Sequence, residues 1–172
     1  MSSPNLKSSS AQIDLLLEQA IALHKSGSFA KAKVMYEDIL KVRPSHSDVL
    51  HLLGLVAFQT NAPRLAVELI DKSIRIDARK AEYHSNRGLA LAALGESEAA
   101  IASYDEAIAL KPDFAGAHSN RGLALTTLDQ HKEAIANFDK AIETEPGYAI
   151  AYNNRGRVLA LAKKPMPQLP TT

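Results

Sequence analysis

Apolar residues recur along this chain at steps of three and four for nearly its whole length, and nowhere do they alternate one by one. The first pattern is that of amphipathic helices; the second would have marked strands, so no strand is predicted. From Ile13 the series Leu16, Ala20, Leu23 forms one face, and Ser26-Gly27-Ser28 interrupts it. A second helix is expected over Phe29–Val42, with Ala32, Met35, Tyr36 and Ile39 on one side. Pro44 follows just beyond its end, where proline stops a helix. The same unit then begins again. Helices are expected over Asp48–Thr60 and Pro63–Ile76, over Ala81–Leu94 and Ser97–Leu110, over Ala115–Leu128 and His131–Thr144, and finally over Ala149–Lys164.

The unit has a fixed length. Ala81–Phe114 laid over Ala115–Tyr148 needs no gap and is identical at 17 of 34 positions, which sets the period at 34. Units therefore run 13–46, 47–80, 81–114 and 115–148, with a partial unit over 149–164. Residues 1–12 are expected to be a disordered arm, and 165–172 a flexible proline-rich tail. Numbering each unit from 1 to 34 gives every position a job. Position 8 is Ala20, Gly54, Gly88, Gly122 and Gly156, and position 20 is Ala32, Ala66, Ala100 and Ala134. Glycine inside a helix costs about 1 kcal/mol against alanine, so four in one register imply that a side chain there would clash. Position 24 is Tyr36, Ile70, Tyr104 and Phe138, the large group expected to fill that space. Position 32 is Pro44, Pro112 and Pro146, turning the chain into the next unit.

Period, small residues at 8 and 20, aromatic at 24 and proline at 32 together resemble the tetratricopeptide repeat family. The resemblance covers residues 13–164. It implies an all-α solenoid of four helix-turn-helix repeats plus a C-terminal capping helix, wound as a right-handed superhelix. Unit two lacks the aromatic and the proline, which predicts looser packing there.

The same register singles out candidate binding residues. Position 6 lies about 200° round the helix from position 8, and so faces away from the partner helix. In this family the first helices line a concave groove, which implies that positions 2, 6, 9 and 13 line it here. Asn86, Asn120 and Asn154 then form one rung per unit, similar to the amide ladder of O-GlcNAc transferase repeat domains. Amides donate and accept, so such a ladder can hold a peptide backbone whatever its side chains. The competing reading is a solvated asparagine copied by duplication. In unit two, Leu52 and Phe58 are candidates for an apolar pocket, with Leu55 assigned to packing. The family's carboxylate clamp would need Lys and Asn at positions 5 and 9, Asn at 6, then Lys and Arg at 2 and 6. The chain offers Ser85, Leu89, Asn120, Ile150 and Asn154, so no clamp is expected.

Composition narrows the classes. Lys and Arg total 20 against 19 Asp and Glu, leaving no basic field for nucleic acid. Cysteine is absent, which removes disulfides and thiolate-ligated metals. No apolar run reaches membrane-spanning length, and the Ser-rich start has no leader-like core, so a cytoplasmic protein is expected. His84 and His118 are repeat equivalents, about 10 Å apart by helix spacing, too far to share a metal. His24, His46, His51 and His131 are expected at the surface. No cofactor and no enzymatic chemistry are predicted.

Arg87, Arg121 and Arg155 recur once per unit, as do Asp71, Asp105 and Asp139. This suggests an ion-pair ladder between helices, against snorkelling arginines with solvated heads. The last helix carries Val158, Leu159 and Leu161, apolar for a cap. It is open to three readings: a cap, a cut through a longer protein, or a homodimer contact. The partner predicted for the array is a protein or extended peptide. The alternatives are a substrate-recruiting domain of a larger enzyme, such as a glycosyltransferase, and a self-assembling structural module.

Overall fold

Position 15 of each complete unit is where the chain must reverse between its two helices. Gly27, Asn61, Gly95 and Asp129 occupy it, all with φ between 58° and 79°. Glycine reaches this left-handed region without strain, and Asn and Asp are the side chains that tolerate it best. Each reversal is closed by a backbone bond to the carbonyl five residues back: Ser28 to Leu23, Ala62 to Ala57, Glu96 to Leu91 and Gln130 to Leu125, at 2.8–3.0 Å. These satisfy carbonyls that the ending helix leaves free.

The computed structural model describes residues 10–162, and in them the chain is all-α. The helices are α1 (Ser10–Lys25), α2 (Phe29–Val42), α3 (Ser47–Gln59), α4 (Pro63–Ile76), α5 (Ala81–Ala93), α6 (Ser97–Leu110), α7 (Ala115–Thr127), α8 (His131–Thr144) and α9 (Ala149–Ala162). Expected boundaries differ by a residue at several ends. The larger difference is at the start: Ser10, Ala11 and Gln12, expected in the arm, are the first turn of α1. Arg43 Nη2 donates to Ser10 Oγ at 3.1 Å, tying that turn to the end of α2. Residues 1–9 and 163–172, which carry the rest of the arm and the tail, lie outside the described residues.

Inside each hairpin the register behaves as its spacing demands. Ala32, Ala66, Ala100 and Ala134 are wholly buried, and so, or nearly so, are Tyr36, Ile70, Tyr104 and Phe138. A Cβ on Gly88 would lie 2.6 Å from the Tyr104 ring, and one on Gly122 would lie 2.8 Å from Phe138. Unit two does not pack more loosely. A Cβ on Gly54 would meet Ile70 Cγ1 at 2.8 Å, so the branched isoleucine fills the place of the aromatic. Ala78 stands where the other units have proline, and beside it Asp77 Oδ1 accepts from the Arg79 backbone N–H at 3.1 Å and fixes the turn.

Successive units are joined by four kinds of contact. The second helix of each unit packs against the first helix of the next. Arg87 Nε donates to Asp71 Oδ1, Arg121 Nε to Asp105 Oδ1, and Arg155 Nη1 to Asp139 Oδ1, each at 2.6 Å. The ion-pair ladder is therefore present, and it joins the second helix of one unit to the first of the next. His84 and His118 donate through Nε2 to the turn carbonyls of Ala78 and Pro112, both at 2.9 Å. Finally, α3, α5, α7 and α9 touch in succession, while α4, α6 and α8 make no comparable contact with one another. First helices that converge and second helices that splay put the first helices on the inside of the curve.

Candidate functional site

The inner face follows from that curvature. Position 9 contributes Ile21, Leu55, Leu89 and Leu123, one apolar side chain per unit, each half-buried or exposed. Leu55, assigned above to packing, belongs to this line. Position 2 contributes Asp14, Asp48 and Glu82 in the first three units, then Gly116 and Ile150. Beside the line stand the position 6 side chains, and these are not three equal rungs. Asn86 and Asn120 are half-buried, whereas Asn154 keeps only 8% of its surface. Asn86 Nδ2 donates to His51 Nε2 at 2.9 Å, which uses one of the two amide N–H donors. Asn120 and Asn154 have no side-chain hydrogen bond among the described residues.

His51 is a correction to the expectation from sequence. It is buried at 8% exposure because it is wedged between α3 and α5, its ring stacked on Tyr83 at 4.5 Å between centroids. Burial pushes its pKa down to about 4. An unprotonated Nε2 is what Asn86, acting as donor, requires. Tyr83 Oη donates to Asp48 Oδ1 at 2.6 Å, and Lys80 Nζ donates to the same oxygen. Burial pushes the Asp48 carboxyl up, but the bonds from Lys80 and Tyr83 outweigh it and hold the carboxyl below its usual value. The junction of units two and three thus carries two polar groups, Lys80–Asp48–Tyr83 and His51–Asn86, joined by the stacked rings of Tyr83 and His51. No later junction has them, since Ala117 and Ala151 stand where Tyr83 does, and Ser85 and Ser119 where His51 does. Ser119 Oγ is buried without a hydrogen-bond partner. The signal was in the sequence: His51 and Asn86, like Asp48 and Tyr83, are one period plus one residue apart.

Leu52 and Phe58 are not brought together into one pocket. Leu52 borders a cavity of about 350 Å³ whose walls include Ile21, His24, Phe29 and Gln59. His24 closes part of it by bonding Gln59 Oε1 through Nε2 at 2.6 Å. Phe58 does not border that cavity, and both it and Leu52 pack against the core of the first two units. Among the described residues, no group of three or more His, Asp or Glu is placed to hold a metal ion, and no helix is long and apolar enough to cross a membrane.

A curved stack of helical hairpins, with its inner row made of first helices, defines the chain as a helical-repeat solenoid. Family models described as tetratricopeptide repeat match residues 17–81 and 115–148, and one described as TPR repeat matches 90–129. The chain belongs to the tetratricopeptide repeat family. No match was found among curated proteins. Among solved structures it is similar to MamA, with 29% identity over 83% of this chain and 84% of that one, TM-score 0.77. The first repeat domain of Spaghetti (RPAP3), bound to the HSP90 peptide SRMEEVD, gives 26% identity over 68% and 94%, TM-score 0.66. An O-GlcNAc transferase mutant from Thermobaculum terrenum gives 29% identity over 83% of this chain but 27% of that one, TM-score 0.74. None of the matching family models is catalytic.

Proposed function

We propose that the chain is a non-catalytic protein-interaction scaffold, an adaptor whose concave face holds an extended segment of a partner protein. One observation carries this reading. Each of the first four units offers the inner face one apolar side chain, Ile21, Leu55, Leu89 or Leu123, and asparagine amides run alongside in the later units. An extended peptide presents side chains and backbone amides in the same alternation. Apolar contacts along the line are combined with amide bonds from Asn86, Asn120 and Asn154, with Leu52 adding a recess near α1. Asn86 keeps its carbonyl oxygen and one N–H for a partner backbone, because His51 engages only the other N–H. Peptide binding by a related repeat domain, as in the Spaghetti complex, supports the class of partner. The clamp for a terminal carboxylate is not part of the reading, since its basic residues are missing. Nucleic acid and membrane are not partners in this account, and the setting is the cytoplasm.

The test is selection of peptides from a random library displayed on phage, followed by calorimetry. Changing Asn86, Asn120 and Asn154 together to Ala is expected to weaken a selected peptide at least about tenfold, or roughly 1.4 kcal/mol. A peptide bound equally by the triple variant removes the ladder from the account. A second reading is supported by the transferase similarity: the array is the substrate-recruiting part of a larger enzyme. The two differ in whether the groove's peptide is also modified in the source cell.

A further inference from the structure

The register relation between His51 and Asn86 recurs twice more along the array, and only its first instance is closed. Position 5 of one unit and position 6 of the next give the pairs His51 and Asn86, Ser85 and Asn120, and Ser119 and Asn154. In the first pair Asn86 Nδ2 donates to His51 Nε2 at 2.9 Å. In the other two no side-chain hydrogen bond forms among the described residues, and Ser119 Oγ is buried without a partner. The longer imidazole makes the bond that the serines do not. Its ring is held in place from the other side. It stacks on Tyr83 at 4.5 Å between centroids, 30° from parallel. Tyr83 is 2% exposed, and its hydroxyl is anchored on Asp48, which Lys80 also holds. Burial keeps the ring uncharged at neutral pH. With Nε2 accepting, its one proton sits on Nδ1.

We infer, on the strength of the groove proposed above, that His51 is a positioning residue for it. Its bond holds the Asn86 amide in one setting and makes that rung the principal anchor for a bound segment's backbone. An unbonded asparagine amide turns in a broad, roughly two-fold torsional well. Here, turning it over would set Oδ1 against the lone pair of Nε2, so one setting is selected. The carbonyl oxygen and second N–H of Asn86, a residue only half-buried, are then held ready for a partner's N–H and C=O. Asn120 is half-buried too but has no such bond, so its amide must be ordered as the partner arrives. A group fixed beforehand avoids that loss of freedom on binding. Asn86 therefore contributes more to affinity than Asn120, although the two stand in copies of one sequence.

Two measurements test this. In the free, isotope-labelled chain, long-range proton–nitrogen correlation at neutral pH should show His51 as the Nδ1–H tautomer, with Nε2 unprotonated. Calorimetry with a phage-selected peptide then measures coupling. Asn86→Ala is expected to weaken binding about fivefold and Asn120→Ala about twofold. His51→Ser places here the residue that α5 and α7 carry at the same position. In that background the effect of Asn86→Ala should shrink to less than about twofold, while that of Asn120→Ala stays the same. A merely structural loss would move both alike or neither. His51→Gln, which keeps an acceptor oxygen near the place of Nε2, should bind within about twofold of wild type. An Nε2–H tautomer, or an Asn86→Ala effect equal in the wild-type and His51→Ser backgrounds, overturns the role of His51 and leaves the groove standing. The tautomer is read on the wild type, so it decides even where His51→Ser loses the fold. A wild-type chain that selects no peptide overturns the groove, and the role of His51 with it.

Discussion

Two glycines at the same register position, Gly122 and Gly156, should respond to alanine with opposite signs. At Gly122 the new methyl carbon would stand 2.8 Å from Phe138 Cε1, 2.9 Å from Cζ and 3.1 Å from the carbonyl oxygen of Ala134. The ring is fully buried, so it has little room to move away, and the carbonyl belongs to the backbone of α8. Alanine gains about 1 kcal/mol of helix propensity at either site. At Gly122 an overpacking cost of about 1–3 kcal/mol opposes the gain, leaving a net loss of up to about 2 kcal/mol. At Gly156 nothing opposes it, and the variant should be more stable by up to about 1 kcal/mol. Urea denaturation followed by far-ultraviolet circular dichroism measures both. The decisive quantity is the difference between the two variants, since the propensity gain cancels. Equal midpoints for Gly122→Ala and Gly156→Ala would refute the claim that a large side chain seals each hairpin against position 8.

Other consequences follow from the junctions. Arg121→Leu should cost only about 0.5–1 kcal/mol, because the Asp105 carboxylate it pairs with is half exposed; a double-mutant cycle with Asp105→Asn should recover most of that as coupling. His51 has a pKa near 4 when folded against 6.5 in the unfolded chain. Its contribution is complete above pH 6.5 and is lost as the pH falls toward 4, by about 2–3 kcal/mol at about pH 4.5. The unfolding free energy of wild type relative to His51→Gln, from urea denaturation, should fall by that amount between pH 7 and pH 4.5, and a constant difference would refute it. Asp129 holds a left-handed backbone at φ 58°, so Asp129→Gly should stabilise by about 1 kcal/mol in thermal melts.

The hairpins were legible in the sequence because one steric rule is written once per unit. Gly88 with Tyr104 and Gly122 with Phe138 repeat a small–large pair at fixed spacing, and position 15 repeats a residue suited to the left-handed turn. The Arg87, Arg121 and Arg155 ion pairs were legible for the same reason. What the repeat does not repeat was harder to see. Reading His51 as a surface residue treated α3 alone, whereas its burial comes from Tyr83 in the following unit. Unit two was expected to be loose because Ile70 is not aromatic, yet packing needs volume at that point more than a ring.

The groove itself is tested most directly by nuclear magnetic resonance of the isotope-labelled chain titrated with a phage-selected peptide. The account predicts that amide shifts concentrate on one stripe of the first helices, at Ile21, Leu55, Leu89 and Leu123 and at Asn86, Asn120 and Asn154. Shifts confined to α4, α6 and α8, or to the Tyr152–Leu159 face of α9, would contradict it.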